Sequence, residues 1–344
     1  MRFFHLSDLH IGKQLYGYSL LEDQEWVLNK IYELIDKERP DGVLIAGDVY
    51  DKSVPAAEAV TVFDRFLTKV SQLEPKIPVL IISGNHDSPE RLSFGAEILS
   101  RQQVYVAGSC PQSENEHLKK VTFQDAWGET DVWMLPFVKP GYVRKLMEES
   151  RKKTDREDGA GQGSDGSQEA DREPETEREE IRRDYNEAVK FLLERENIDT
   201  ARRNILISHQ FYTAGGEIPK TSDSETITVG GLDQVDTACL APFSYVALGH
   251  IHKPEVLIPN RMAYAGALEP IDRNDIGAHG FVRGILDPSG CRISFVEHAE
   301  REYVHLDVPV DEKMTGYDLH TRIDELIGQR GVQNMYCLSL EGRR

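Results

Sequence analysis

Aspartate, histidine and asparagine recur in five short blocks, each at the end of an apolar run. Phe3 to Ser7 leads into Asp8-Leu9-His10, and Val43 to Ala46 into Gly47-Asp48-Val49-Tyr50-Asp51. Val79 to Ser83 leads into Gly84-Asn85-His86-Asp87, Ile205 to Ser208 into His209, and Val246 to Leu248 into Gly249-His250-Ile251-His252. Carboxylate, imidazole and amide oxygen are donors that suit manganese, iron or zinc. No cysteine stands in any block, which disfavours a purely structural zinc site. Asp8-x-His10 and His250-x-His252 are each expected to set two ligands on one side of an extended segment, because side chains there alternate with a period of two. Gly47, Gly84 and Gly249 stand directly before candidate ligands, where the backbone must turn sharply or crowd a metal.

Taken singly, each block has an ordinary explanation. Asp8 and His10 could lie in an exposed turn, and Asp48 and Asp51 could be turn formers or caps for the helix that follows. A lone His209 is more often a satisfied, half-buried histidine than a ligand. The joint occurrence of all five at strand ends is what ordinary turns do not account for. Parallel strands present their C-terminal ends along one edge, where ligands bind, so residues from 8 to 252 can converge on one dinuclear site.

The elements that would position them alternate. Strands are expected at 2–7, 42–46 and 78–83. Helices are expected at 22–38, with Trp26, Ile31, Leu34 and Ile35 along one side, at 56–73, with Val60, Phe63, Leu67 and Val70 along one face, and at 91–101. Short apolar strands with helices between them imply an α/β fold with a largely parallel sheet covered on both faces. Strand character continues at 121–123, 131–135, 204–208 and 245–248, with a helix at 181–196. Residues 148–180 change composition sharply around Gly159-Ala160-Gly161-Gln162-Gly163-Ser164 and read as a disordered surface insertion. Beyond about 270 the pattern becomes a small α+β unit. Its strands lie at 281–286 and 292–297 across Asp287-Pro288-Ser289-Gly290, then at 303–308 and 335–340, with a helix at 317–327.

The order D-x-H, G-D-x-x-D, G-N-H-D, H and G-H-x-H resembles the calcineurin-like metallophosphoesterases, with all five blocks intact. Ala247-Leu248-Gly249-His250-Ile251-His252-Lys253-Pro254, Ser208-His209-Gln210 with Gly215-Gly216 after it, and Tyr264-Ala265-Gly266-Ala267-Leu268-Glu269-Pro270 look like the SbcD branch of that superfamily. The resemblance implies a layered fold of β-sheets flanked by helices over residues 1–270 and a smaller DNA-capping domain over 271–344. It implies two divalent metal ions, with manganese preferred. One would be held by Asp8, His10, Asp48 and His252, the other by Asp48, Asn85, His209 and His250, with Asp48 bridging. His86 would face the scissile phosphate, and Asp51 and Asp87 would orient the imidazoles. The implied activity is a DNA exonuclease and endonuclease of double-strand break repair, recombination and replication. The implied partners are DNA, a coiled-coil SbcC-like ATPase and a second nuclease copy, and the implied location is the cytoplasm, at the nucleoid. Relatives run on through C-terminal helices that dock on the ATPase, whereas this chain ends at Glu341-Gly342-Arg343-Arg344. The same metal centre also serves phosphomonoesterases and cyclic-nucleotide phosphodiesterases, and a non-catalytic scaffold is a third alternative that the intact ligand set and His86 oppose.

Bulk properties bound these expectations. The chain has 344 residues, 39% hydrophobic and 29% charged, enough for a sizeable core plus a smaller unit. No apolar run approaches the ~20 residues of a membrane span, and the N-terminus lacks the pattern of a signal peptide. Cys110, Cys239, Cys291 and Cys337 form no disulfide framework, which suits a reducing cytoplasm. A net charge of −19 counts against nucleic-acid binding taken alone. Divalent metals at a phosphate site or a partner chain would have to supply the opposite sign.

Overall fold

The apolar runs before the five blocks all become strands. The computed structural model describes residues 1–159, 184–214, 234–273 and 275–342 and arranges those strands in two six-stranded sheets. In the first, β1 (Arg2–Leu6), β4 (Gly42–Ala46), β5 (Val79–Ile82) and β6 (Val104–Ala107) are parallel neighbours. The hairpin of β15 (Gly280–Asp287) and β16 (Gly290–Glu297) adds to β1 antiparallel. In the second, β14 (Met262–Tyr264), β12 (Tyr245–Gly249), β9 (Arg203–His209) and β8 (Gly128–Leu135) are parallel neighbours. Antiparallel β13 (Glu255–Ile258) and β7 (Lys119–Asp125) close its two edges. Three small pairs lie outside these sheets among the described residues: β2 (Gln14–Leu15) with β3 (Tyr18–Ser19), β10 (Phe211–Thr213) with β11 (Gln234–Asp236), and residues 303–309 with 335–341.

The covered sheet expected from the apolar runs is two sheets packed on each other, in keeping with the expected layered fold of β-sheets flanked by helices. Met1, Phe3, Leu44, Ala46, Leu80 and Ile82 of the first meet Val132, Met134, Ile205, Ile207, Tyr245 and Ala247 of the second in a shared layer. The outer faces carry the helices. Phe4, Leu6, Val43, Ile45, Val79 and Ile81 pack under α1 (Leu21–Glu38) and α2 (Ala57–Ser71). Trp133, Leu135, Leu206, Val246 and Leu248 pack under α5 (Pro140–Gly159) and α6 (Tyr185–Glu194). A continuous apolar strand encodes burial on both faces, and burial by a sheet stabilises it as well as burial by a helix does, at about 1.5–3 kcal/mol per large side chain.

Several helix faces also differ from expectation. In α1 the buried stripe is Val27, Leu28, Ile31 and Ile35, while Trp26 lies at its edge and stacks on His298. In α2 it is Ala59, Val62, Phe63, Phe66 and Val70, and Val60 faces solvent. The helix expected at 91–101 is two short ones, α3 (Pro89–Leu92) and α4 (Ala96–Ser100), broken at Gly95, whose φ of +73° is left-handed. The segment expected to be disordered from 148 is helical as far as Gly159 within α5, and 160–180 lie outside the described residues.

The segment expected to open the smaller unit at 271 contributes strands to the first sheet. Residues 280–297 belong to the first sheet through the pairing of β15 with β1. Outside both sheets stand β17 (Tyr303–Pro309), α7 (Gly316–Arg330) and β18 (Met335–Glu341), a parallel strand pair joined by a crossover helix. Thr315 and Asp318 form a capping box at the start of α7. Arg301 ties this unit to the body: its Nε donates to Asp23 Oδ1 at 3.0 Å and its Nη1 to the Gln333 carbonyl at 2.9 Å.

Candidate metal centre

The sheet register brings the five blocks to one edge of the sandwich. Leu6 pairs with Ile45 and Ala46 with Ile82 in the first sheet, and Gly249 pairs with His209 in the second. The strand ends are therefore level, and the two sheets meet there directly. His209 Nδ1 lies 2.7 Å from the Ala46 carbonyl. A carbonyl only accepts, so Nδ1 carries the hydrogen and Nε2 is the atom turned to the other donors. The backbones approach so closely that a Cβ on Gly84 would lie 2.1 Å from Asp48 Oδ1, and one on Gly47 would lie 2.4 Å from His209 Nδ1.

The paired ligands do not sit on extended segments as expected. Asp8, His10, Asp48 and His250 have φ values of +50°, +41°, +49° and +100°. Such backbone costs about 1–3 kcal/mol at each non-glycine residue and persists only where its surroundings hold it. They do so here. His10 N donates to the Asp48 carbonyl at 3.0 Å and Asp8 N to the Gly47 carbonyl at 3.1 Å. His250 N donates to the Asp8 carboxylate, at 3.1 Å from Oδ1. The loops turn inward at each ligand instead of alternating sides.

Two groups of donors result. Ligand atoms of Asp8, His10 and His252 lie within 4.8 Å of one another, as do those of Asp8, Asp48 and His209 and those of His10, Asp48 and His86. On the other side, Asn85 Oδ1 lies 3.0 Å from His209 Nε2 and 2.9 Å from His250 Nδ1. Asp48 stands between the groups, with Oδ2 3.6 Å from His10 Nε2 and 3.3 Å from His209 Nε2. Its Oδ1 accepts from His86 N at 2.8 Å. His86 Nδ1 donates to the Asp51 carbonyl at 3.0 Å, which fixes the ring from that side. Its ring lies edge-on to His10, 4.9 Å between centroids.

Of the two aspartates expected to orient imidazoles, Asp51 faces His10 with its carboxylate and His86 with its carbonyl, whereas Asp87 bonds backbone. Asp87 bonds no imidazole among the described residues. Its carboxylate accepts from the backbone N–H of Val49, Tyr50 and Gly84 at 3.1, 3.0 and 2.9 Å, and so ties the second and third blocks together. Asp51 Oδ1 pairs with Lys13 at 3.1 Å and stands 3.6 Å from His10 Nδ1.

Burial and mutual charge shift the clustered groups in opposite directions. Burial opposes charge on Asp48, but His209, His10 and His86 outweigh it and hold its carboxyl well below the usual range. Burial pushes Asp8 up, against the pull of His209. Burial likewise opposes charge on His209, but Asp48 and Asp8 raise it above the usual imidazole range. Burial and the neighbouring His209 push His250 down to about 3, and burial and His10 push His252 well down. The rings of His250 and His252 therefore offer lone pairs at neutral pH. Both nitrogens of His10 are buried without a hydrogen-bond partner among the described residues, a costly state for polar atoms unless something else binds them. Carboxylates, an amide oxygen and imidazoles without a thiolate fit hard or borderline divalent cations.

Some neighbours carried no signal in the five blocks. Phe137 follows the apolar strand β8 by two residues and lies against His209 and His250. Its place after a strand end, like those of the ligands, is the clue that could have found it. His5, inside β1, bonds Tyr245 and Leu248 across the sandwich. The Gly215-Gly216 pair lies outside the described residues.

The sequence profile of the family described as calcineurin-like phosphoesterase matches residues 1–254. The D subunit of the nuclease SbcCD from Staphylococcus epidermidis is 32% identical over 272 residues, which is 78% of this chain and 61% of that protein; the chain thus spans less than two thirds of that relative's length. Among solved structures, phosphopantetheinyl hydrolase of Mycobacterium tuberculosis aligns with a TM-score of 0.36 at 13% identity, covering 76% of this chain and 87% of its own. A dimetal phosphatase from Danio rerio aligns with a TM-score of 0.44 at 12% identity, covering 87% and 99%.

Proposed function

The chain belongs to the calcineurin-like phosphoesterase family, and from that premise we propose that it is a DNA nuclease of the SbcD type. It hydrolyses phosphodiester bonds at DNA ends or hairpins with two divalent cations, manganese by family preference. The observation that carries this reading is Asp48, placed between an Asp8/His10/His252 group and an Asn85/His209/His250 group. A carboxylate whose Oδ2 faces both groups is placed to be shared between two cations. The identity to a component of a nuclease favours DNA over a phosphomonoester. So does the unit of β17, α7 and β18, which is in keeping with a cap over DNA.

Cations held by Asp8, His10, Asp48, Asn85, His209, His250 and His252 would supply Lewis-acid charge for an anionic phosphate and for activating a water molecule. The chain's own residues do the rest. His209 is locked by Ala46 with Nε2 inward, and the strained loops hold Asp8, His10 and His250 in place. His86, fixed at Nδ1 by the Asp51 carbonyl, presents Nε2 to the phosphate or to the leaving oxygen and protonates it, a contribution of about 10²–10⁴ in rate. The net charge of −19 is offset at the site by the cations.

We place the protein in the cytoplasm at the nucleoid, acting with an SbcC-like ATPase and a second copy of itself. None of the described helices is long and apolar enough to cross a membrane, and all four cysteines are free. An exposed apolar patch supports the self-pairing: Val60 on α2, Phe94 between α3 and α4, and Ile98 on α4 are 42%, 87% and 74% exposed around a groove.

The test is incubation with manganese and a labelled hairpin-ended duplex, beside a small bis-phosphodiester and a phosphomonoester, with His86→Ala and a chelator in parallel. The expected result is cleavage of DNA and diester, sparing of the monoester, abolition by chelator, and loss of cutting in the variant with its metals retained. Preference for the monoester, with DNA surviving even beside the ATPase, would sink the nuclease reading.

A further inference from the structure

Metal-bound histidines are usually held by a hydrogen bond to the ring nitrogen that does not face the metal. His209 obeys this through the Ala46 carbonyl. His250 does not: its Nδ1 faces Asn85 Oδ1, and its Nε2 has no hydrogen bond among the described residues. The ring also rises from a left-handed backbone, φ +100°, which an imidazole does not favour by itself. The contact between Nδ1 and Asn85 cannot hold the ring when a cation is bound, because nitrogen and oxygen then direct their lone pairs at the cation.

Aromatic packing covers the ring instead. Phe137 lies nearly parallel to His250, 6.1 Å between centroids and 27° between planes. It meets His209 edge-on at 6.2 Å, and Phe211 meets His250 edge-on at 6.4 Å. Phe137 is itself fixed from two sides. Its N–H donates to the Ser83 carbonyl at 3.0 Å, two residues before Asn85. The next carbonyl, Val138, accepts from Gln210 Nε2 at 3.0 Å, one residue after His209. The loop after β8 therefore reaches, through these hydrogen bonds and ring contacts, all three segments that deliver Asn85, His209 and His250.

We propose that Phe137 is a positioning residue for one of the two cations only, the one held by Asn85, His209 and His250, its ring face replacing the hydrogen bond that His250 lacks. This rests on the two-metal reading above. The flat face fixes the imidazole plane, and the loop's two hydrogen bonds fix the face relative to the other donors. An aliphatic residue of similar bulk fills the space but leaves the imidazole free to rotate.

The experiment is a manganese titration of the chelator-treated full chain, followed by calorimetry and by electron paramagnetic resonance. The wild-type chain is expected to take two ions and to show the broadened spectrum of a coupled pair. Phe137→Leu is expected to bind one ion at unchanged affinity and the other about 10–100-fold more weakly, the range typical when an outer partner of a metal ligand is lost. At equal loading it shows the six-line spectrum of an isolated ion. Phe137→Tyr keeps the face and restores the coupled spectrum. Thermal unfolding of the metal-free proteins checks that the variants fold, and Phe137→Met replaces Phe137→Leu if the latter does not. Unchanged affinity for both ions, or equal weakening of both, overturns the proposal while the two-metal reading stands. A wild-type chain that takes fewer than two ions overturns the two-metal reading itself.

Discussion

Replacing His5 by glutamine tests how the two sheets are held together beneath the candidate donors. His5 lies on β1 with no exposed surface. Its Nε2 is 3.1 Å from the Leu248 carbonyl and its Nδ1 3.0 Å from the Tyr245 hydroxyl, both on β12. A carbonyl only accepts, so Nε2 carries the hydrogen and Nδ1 accepts from tyrosine; a second proton has no acceptor. Burial pushes the imidazole down to about 3, against the smaller opposing effect of the Leu248 bond. The folded value is depressed below the unfolded value near 6.5, so the unfolded chain binds the proton first. Stability is complete above about pH 6.5 and falls as pH drops from there toward 3. Linkage puts the loss between pH 7.5 and 5.0 at about 2 kcal/mol from this group. Urea unfolding of both proteins at the two pH values, metal-free, measures it. Glutamine does not titrate, so the fall in unfolding free energy between the two pH values should be about 2 kcal/mol smaller in His5→Gln. Other histidines contribute equally to both proteins and cancel. Identical pH dependence in the two proteins would refute the argument that this imidazole is held neutral.

Further consequences follow from the same contacts. Gly84→Ala forces a Cβ to 2.1 Å from Asp48 Oδ1 and 2.4 Å from Asp48 N; overpacking of this kind costs about 1–3 kcal/mol, and calorimetric titration should show both cations weakened, since Asp48 serves both groups. Glu269 is 4% exposed, and burial, reinforced by Asp23 and opposed by the Glu300 N–H, pushes it up to about 8. A carboxyl raised on folding loses stability as pH climbs from its unfolded value near 4.5 to its folded one. Glu269→Gln should therefore remove about 4 kcal/mol of the stability decline between pH 5 and 8.5, read by urea unfolding at those two pH values. Phe94→Glu places a charge in the exposed apolar patch; if that patch pairs two copies, sedimentation velocity should show monomers while cleavage of a small diester persists, and an unchanged dimer would move the interface elsewhere.

The convergence of the candidate donors was legible in the sequence, because each follows an apolar strand and the C-terminal ends of parallel strands share an edge. That rule required only local information: which runs are strands and what stands after them. Asp8, His10, Asp48, Asn85, His86, His209, His250 and His252 do converge, and the glycines before Asp48 and Asn85 stand where a Cβ has no room. Periodicity erred where it had to choose a partner. An apolar run buried on both faces reads the same under a helix as under a second sheet, so the sandwich of β1, β4 and β5 on β8, β9 and β12 came only from the tertiary structure. The pairing of β15 with β1 is likewise a contact across some 280 positions that no local pattern specifies. The left-handed turns at Asp8, His10, Asp48 and His250 are held by long-range hydrogen bonds, not by the preferences of aspartate and histidine. Asp87 and Phe137 show the same division: the sequence placed them beside the ligands, and packing alone decided that one ties backbones and the other covers an imidazole.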